Sequence, residues 1–139
     1  MLKMTLVTPT KRLLLGEEVE DVVVPGHRGE LTILPGHAGL VTSLLPGVLR
    51  FRKKGSGVYS YAAISWGYCE VFSNHVNVLA ETAELPKEID VPRAQETLAR
   101  ANAKLANPSV TPEEIEKYSL KVQRAQVRLE VAQQKHLDS

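Results

Sequence analysis

Residues 22–40 read VVVPGHRGELTILPGHAGL, two short apolar runs that each end in a proline-glycine pair. Runs rich in valine and isoleucine are typical of strands. Proline fixes one backbone angle and glycine admits conformations that other residues avoid, so Pro25-Gly26 and Pro35-Gly36 predict tight turns. The stretch therefore predicts two strands within a sheet of short segments connected by turns.

Similar turn-forming residues separate short apolar runs on both sides of this stretch, up to residue 85. Turn signals arrive about every 8–12 residues, the spacing expected of antiparallel sandwiches and barrels. All nine glycines lie between Gly16 and Gly67. We therefore expect residues 1–85 to form a β-sandwich of about ten short antiparallel strands. The clearest are Met4–Val7, Leu13–Leu15, Val19–Val24, Glu30–Leu34, Leu40–Leu44, Val48–Arg52, Val58–Ser65, Tyr68–Phe72 and Val76–Ala80.

The last third of the chain has helical periodicity instead. All five glutamines lie at or after Gln95, and apolar residues recur every three or four positions, as on one face of a helix. Asp90 is a predicted N-cap, and Thr111 with Glu114 predicts a capping box at a second helix. We expect residues 86–139 to form an antiparallel two-helix hairpin. Its predicted seam consists of Val91, Ala94, Leu98, Ala101, Leu105, Ile115, Tyr118, Val122, Ala125, Leu129 and Ala132.

Composition argues against several classes of protein. The 139 residues include 17 basic and 16 acidic side chains, a net charge of +1 that disfavours nucleic-acid binding. No apolar run reaches the roughly 18 residues that suggest a membrane span. Cys69 is the one cysteine, so no internal disulfide can form. These features predict a globular protein of the cytoplasm.

The sequence also lacks the common motifs for catalysis. It contains no His-x-x-x-His pair, no Cys-x-x-Cys pair, no Gly-x-Ser-x-Gly elbow and no glycine-rich nucleotide loop. A metal site built from His27, His37 and Cys69 would match no known ligand spacing. Cys69 has apolar neighbours and is expected in the core. We therefore expect no catalytic residue and no metal site in this chain.

Several longer motifs occur in order along the chain. Residues 29–40 fit the pattern Gly-Glu-Leu-x-Ile-x-Pro-Gly-His-x-x-Leu at every fixed position. The other motifs are Leu6–Pro9, Leu44–Gly47, Ser65–Val71, Ile89–Ala94 and Arg124–Ala132. Together they resemble the epsilon subunit of bacterial F-type ATP synthases, with Trp66 at a position where that family has glycine.

The resemblance implies a non-catalytic subunit of the rotor stalk of a proton-translocating ATP synthase. The sandwich would lie beside the gamma subunit and on the c-ring. The chain would couple rotation of the ring to the catalytic sites of the alpha and beta subunits. It would need no cofactor and would reach the cytoplasmic face of the inner membrane only through the complex. The hairpin would regulate the enzyme by inhibiting ATP hydrolysis, and it would adopt docked and extended positions.

The resemblance also implies contact residues for the c-ring. Glu30 and His37 fall where the family has loops against that ring. End loops of a sandwich provide an irregular binding surface on a rigid scaffold. The alternative is that Pro35-Gly36 is only a tight turn and Glu30 a solvated strand residue.

A regulatory ATP site is implied by the motif Ile89-Asp90-x-x-Arg93-Ala94. The family's second-helix arginines fall on Arg124 and Arg128, and a nearby acid falls on Glu84. Arginines neutralise phosphates through forked donors. Asp90 or Glu84 would accept a hydrogen bond from the adenine amino group, and Ile89 would make an apolar contact with the adenine ring. The alternative is that Asp90 only caps a helix and the arginines meet acidic protein surfaces. Pro92 removes one backbone donor at this point.

The second helix carries a basic stripe, Lys117, Lys121, Arg124, Arg128 and Lys135. Few of these cations have an acidic partner one turn before them, as solubility faces usually do. The stripe is therefore interpreted as a surface for acidic regions of the catalytic subunits or gamma when the hairpin is extended. The alternative is a solvated helix face.

Two other classes of function remain open from the sequence alone. A free-standing nucleotide sensor would use the same hairpin arginines without partner subunits. A carrier or lectin-like sandwich with a coiled-coil tail would need an aromatic or apolar ligand groove, but the chain contains only seven Phe, Trp and Tyr residues.

Overall fold

The computed structural model describes residues 1–134. Seven strands precede a single 3₁₀ turn and two helices. The strands are β1 Leu2–Val7, β2 Arg12–Gly26, β3 Gly29–Ile33, β4 Leu40–Leu44, β5 Gly47–Lys53, β6 Ser60–Phe72 and β7 His75–Glu84, and the helices are α1 Val91–Leu105 and α2 Pro112–Ala132. The predicted sandwich followed by two helices is therefore confirmed. Lys135 of the predicted basic stripe lies outside the described residues.

Two glycine-containing bends explain why there are fewer strands than expected. Gly16 has a φ of +66° within β2, and Trp66 and Gly67 have φ values of 46° and 153° within β6. At these points the chain bends but continues to pair, so β2 joins two of the predicted strands and β6 joins two others. A left-handed residue inside a strand marks a bulge or bend rather than an end.

The strands close around one apolar core. β5, β6 and β7 form antiparallel pairs in chain order, β2 pairs with both β1 and β5, and β3 and β4 extend the sheet at the ends of β2 and β6. The expected pairing is antiparallel, but β1 lies parallel to β7, with Lys3 opposite His75. The core includes Leu6, Val22, Leu49, Phe51 and Val78.

Cys69 belongs to this core, as predicted. Its side chain is fully buried, and burial together with Glu70 raises the pKa of the thiol to about 12. The thiolate, which is the reactive form, is therefore scarce at neutral pH.

Both helices start as the sequence predicts. Asp90 Oδ1 accepts a hydrogen bond of 3.1 Å from the amide of Arg93. Thr111 and Glu114 form a reciprocal capping box, with distances of 3.2 and 3.1 Å, and these bonds lower the pKa of Glu114. Neither described helix has the length and apolar character needed to cross a membrane.

The hairpin is docked on the sandwich through α2. Val131 and Ala132 pack with Ile89 and with Ala63 of β6, and the Gln123 amide donates a 3.3 Å hydrogen bond to the carbonyl of Pro46. The small seam residues Ala94, Ala101 and Ala125 are buried, whereas Ile115 is 46% exposed. The hairpin therefore packs closely at its alanines and leaves part of the predicted seam in solvent.

Candidate functional site

A cavity of about 500 Å³ lies between the hairpin and the sandwich. Its walls come from residues 8–11 after β1, from β6 and β7, and from both helices. A pocket of this size can hold a small ligand. The charged residues that line it are Lys11, Glu81, Glu84, Arg93, Lys121, Arg124 and Arg128, and hydroxyls come from Thr8, Thr10, Ser65, Thr82 and Thr97.

One wall of the cavity contains an ion pair between the sandwich and the hairpin. Arg128 Nε and Nη2 donate to the two carboxylate oxygens of Glu84 at 2.7 and 3.1 Å. The side chains are 25% and 26% exposed. Two parallel hydrogen bonds of this kind fix the relative orientation of the two side chains as well as pairing their charges. Glu84 and Arg128 therefore hold α2 against the end of β7.

A second ion pair holds the segment that leads into the hairpin. Lys11 Nζ donates to Glu88 Oε2 at 3.0 Å, and the amide of Leu85 donates to Glu88 Oε1 at 2.9 Å. The Leu85 amide, followed by Lys11, lowers the pKa of Glu88. A lowered carboxyl pKa adds stability at neutral pH that is lost as the pH falls through the lowered value.

The remaining charges in the cavity are mostly positive. Among residues 1–134, Arg93, Lys121 and Arg124 make no salt bridge, and the only lining acid that is not already paired is Glu81. Three cations thus face one free carboxylate in a concave site. Such a site favours a ligand with several negative charges.

The predicted ATP residues divide into two groups. Glu84, Arg93, Arg124 and Arg128 line the cavity. Ile89, Asp90 and Ala94 are not among the lining residues: Ile89 and Ala94 are buried, and Asp90 caps α1 through the Arg93 amide. The second group therefore holds the helix that carries Arg93.

The basic stripe of α2 also divides. Lys121, Arg124 and Arg128 face the cavity, whereas Lys117 is not among its lining residues. The ammonium groups of Lys117 and Lys121 lie 5.5 and 5.6 Å from the centre of the Tyr118 ring. The sequence did not identify Lys121 as a cavity residue. Helical spacing shows which face of a helix a residue lies on, but it does not show which part of the protein that face packs against.

Glu30 and His37 lie near opposite ends of β3. Glu30 is the second residue of that strand, not a loop residue as expected, and its 62% exposed side chain lies 3.7 Å from Arg50 Nη1. His37 is in the turn beyond β3, with Nδ1 2.8 Å from the carbonyl oxygen of Ala38. The Gly36 amide donates to Asn74 Oδ1 at 2.8 Å and fixes that turn.

Arg50 belongs to a polar cluster that the sequence did not reveal. Asp21 is 3% exposed and accepts hydrogen bonds from Arg52 Nε at 2.7 Å and from the Tyr59 hydroxyl at 2.6 Å. Both Arg50 and Arg52 lie 5.3 Å from the centre of the Tyr59 ring. The bond to Asp21, more than burial, raises the pKa of Tyr59. The cluster fixes the arginine that faces Glu30.

Two family domains together cover residues 1–133. Residues 1–86 match the ATP synthase delta/epsilon chain beta-sandwich domain. Residues 87–133 match the ATP synthase delta/epsilon chain long alpha-helix domain.

Individual relatives are similar over nearly their full length. An ATP synthase epsilon chain of Bdellovibrio bacteriovorus is 44% identical over 133 residues, covering 96% of this chain and 95% of the relative. One from Geotalea uraniireducens is 44% identical, with coverages of 94% and 93%.

Solved structures agree. A chain in the Euglena gracilis mitochondrial ATP synthase structure, containing OSCP, F1 and c-ring, has a TM-score of 0.82 and 26% identity, with coverages of 95% and 81%. One in the Tetrahymena thermophila central stalk and c-ring structure has a TM-score of 0.62 at 15% identity, with coverages of 94% and 96%, and shares the fold. On this evidence the chain belongs to the ATP synthase delta/epsilon family, as an epsilon chain.

Proposed function

We propose that this epsilon chain works in the rotor of a proton-translocating F-type ATP synthase. It couples rotation of the c-ring to ATP synthesis and hydrolysis in the catalytic head, in contact with the gamma, alpha and beta subunits. The observation that carries this proposal is the 0.82 TM-score to a chain assembled with F1 and the c-ring. As an epsilon chain it is a non-catalytic subunit, needs no cofactor of its own and is a peripheral part of the complex. Its place is the cytoplasmic face of the inner membrane.

Within this role we propose two units, residues 1–85 for contact with gamma and the c-ring and residues 86–139 for regulation. Glu30 and His37 are the proposed c-ring contacts. Support comes from the exposure of Glu30 and from the Asn74 bond that holds the turn before His37. Fixed, exposed polar groups can bind a partner without first being ordered.

Charge reversal at this surface tests the rotor proposal. The double variant Glu30→Lys and His37→Glu, in the assembled enzyme, is expected to reduce proton pumping relative to ATP hydrolysis. Folding should change by no more than about 0.5 kcal/mol, as for most surface substitutions. Lys54→Glu, at the exposed β5–β6 turn, is the control. Pumping in membrane vesicles at the wild-type ratio to hydrolysis would contradict the proposed contact.

We further propose that the docked hairpin binds ATP as a regulatory ligand in the cavity. Arg93 and Arg124 line the cavity and form no ion pair with any of residues 1–134, and Arg128 and Glu84 line it too. Ile89, Asp90 and Ala94 act by placing the helix that carries Arg93. Because the cavity has walls from both helices and the sandwich, ATP favours the docked hairpin over the extended one.

Calorimetric titration of the isolated subunit with ATP should give measurable heat. Arg93→Ala and Arg124→Ala should each weaken binding by roughly 10–100-fold, since a hydrogen bond to a charged group contributes about 1.5–3 kcal/mol. Arg100→Ala removes an arginine of α1 that is paired with Glu96 and does not line the cavity, so it should bind as the wild type does. Absence of heat at millimolar ATP, or unchanged binding in the first two variants, would contradict the site.

The proposed regulation depends on basic residues of α2 that have one role in the docked hairpin and another in the extended hairpin. We propose that in an extended hairpin the stripe of Lys117, Lys121, Arg124, Arg128 and Lys135 meets acidic surfaces of the catalytic head and restrains ATP hydrolysis. Three of these residues line the cavity in the docked hairpin. ATP and the catalytic head therefore compete for them, and high ATP relieves the restraint.

A further inference from the structure

The two walls of the cavity differ in charge. The sandwich wall contributes the acids Glu81 and Glu84 and the cation Lys11. Among residues 1–134, Lys11 is thus the single positive side chain that the sandwich places in the cavity. The charge attraction between the sandwich and an anionic ligand therefore rests on Lys11. The hairpin wall contributes four cations, Arg93, Lys121, Arg124 and Arg128.

The location of Lys11 matters for docking as well as for binding. A ligand shifts the balance between two conformations only through interactions that differ between them. The cations of α1 and α2 move with the hairpin, whereas Lys11 stays with the sandwich and shares the cavity with them only when the hairpin is docked. A phosphate contact from Lys11 therefore favours the docked hairpin.

Lys11 is held in a tight turn at the edge of the cavity. Thr8 Oγ1 accepts hydrogen bonds from the amides of Thr10 and Lys11 at 3.3 and 3.0 Å, and the Thr8 amide donates to the Lys11 carbonyl at 2.8 Å. The Lys11 side chain is 46% exposed. Its ammonium has three N–H donors and gives one of them to Glu88 Oε2 at 3.0 Å. Two donors therefore remain for a ligand.

Glu88 is the one carboxylate paired with this lysine among residues 1–134. It belongs to the 3₁₀ turn that leads into the hairpin and is not a lining residue of the cavity. The Leu85 amide, followed by Lys11, lowers the pKa of the Glu88 carboxyl, so this group is negative at neutral pH. A phosphate that approaches Lys11 therefore meets a carboxylate already bound to the same ammonium.

Building on the proposed binding of ATP, we propose that Lys11 is a phosphate ligand of the cavity and that Glu88 competes with the phosphate for it. Lysine binds phosphate as a point charge with rotatable donors, so Lys11 can serve both groups, but the two negative groups repel each other. Lys11 supplies the sandwich side of the site, and Glu88 reduces its affinity for the ligand.

A second lysine–glutamate pair of the sandwich provides matched controls. Lys54 Nζ lies 3.3 Å from Glu18 Oε2, both side chains are exposed, and neither residue lines the cavity. Lys54→Ala and Glu18→Gln therefore remove the same charges as Lys11→Ala and Glu88→Gln at a place without access to the ligand. Glu88→Gln also keeps a side-chain oxygen that can accept from the Leu85 amide.

The test is calorimetric titration of the full chain and its four variants with ATP at low ionic strength. Lys11→Ala should weaken ATP binding about five- to tenfold, because a charged hydrogen bond to phosphate is lost. Glu88→Gln should strengthen it about three- to fivefold, because a negative charge beside the ligand is removed. Lys54→Ala and Glu18→Gln should each bind within about twofold of the wild type. A circular dichroism spectrum of each variant checks that it remains folded.

The opposite signs separate a ligand from a structural ion pair. If Lys11 and Glu88 only hold the start of the hairpin, both variants lose the same contact, and Glu88→Gln does not strengthen ATP binding. That result overturns the competition. If the wild type binds ATP and Lys11→Ala binds it equally well, Lys11 is not a ligand, while the ATP site stands. If the wild type gives no heat with ATP, the proposed ATP site fails and the inference fails with it.

Discussion

Gly67→Ala is expected to destabilise the sandwich by at least about 3 kcal/mol, because steric clash and backbone strain act together. A Cβ at Gly67 would lie 1.9 Å from the carbonyl oxygen of Leu79 and 2.9 Å from Cα of Ala80. Both atoms belong to the backbone of β7, which is paired and cannot move aside cheaply. The φ of +153° adds strain for any residue with a Cβ.

Urea unfolding of the full chain measures this loss as a lower midpoint. Gly55→Ala is the matched control, since Gly55 has a φ of +76° but no atom within 4 Å of its added Cβ. It should show strain alone, about 1–2 kcal/mol. If both variants lose the same free energy of unfolding, the close approach of β6 and β7 is not the reason that position 67 requires glycine. A loss of 3 kcal/mol is a large share of the roughly 5–15 kcal/mol that stabilises a domain.

Arg128→Met is expected to shift the hairpin strongly away from the docked position. The change leaves the Glu84 carboxylate without the Arg128 guanidinium. That carboxylate is only 26% exposed, so water replaces the lost partner incompletely. Breaking a buried pair costs about 3–5 kcal/mol, and exposed pairs are worth less than about 1. At intermediate exposure we expect about 2 kcal/mol, which is roughly a thirtyfold fall in the docked-to-extended ratio.

Distance measurements between two spin labels can follow this shift. Because burial keeps the Cys69 thiol protonated, with a pKa of about 12, labels can be placed selectively at Ser56→Cys and Ser119→Cys, on the exposed β5–β6 turn and α2. The double variant Glu84→Met with Arg128→Met should dock better than Arg128→Met alone, since no unpaired charge remains.

The control for hairpin release is Glu96→Ala. It breaks a pair with Arg100 in which both side chains are about two-thirds exposed, so the label distance should not change. The interpretation fails if Arg128→Met retains the wild-type distance distribution, because docking would then rest on the apolar contacts of Val131 and Ala132 and on the Gln123 hydrogen bond.

Local chemistry made the turns and helix starts predictable from the sequence. The pair at Pro25-Gly26 ends β2 as expected, and the caps at Asp90 and Thr111 are formed by the predicted atoms. These features depend on residues within four positions of one another. Gly16 and Gly67 misled the strand count because glycine is used both to end a strand and to bend one that continues.

Features that depend on distant residues were not predictable in the same way. Nothing near Lys3 indicates that β1 lies parallel to His75 and the rest of β7. The family motif pointed to Glu84 and Arg128, but their mutual ion pair became visible only with α2 docked against the sandwich. Lys121 likewise joined the cavity through tertiary packing. Side-chain spacing defines a helix face, and the fold decides what that face meets.

The parallel contact of β1 with β7 sets an order of events during synthesis on the ribosome. β1 emerges before β7 and remains without one of its two neighbours until residues of β7, such as His75, have left the exit tunnel. Within residues 1–134, the 3₁₀ turn and the two helices of the hairpin follow β7, and domains tend to fold as units in order of emergence. The sandwich can therefore close while the hairpin is still being made, so the nascent helices meet a finished surface on which to dock.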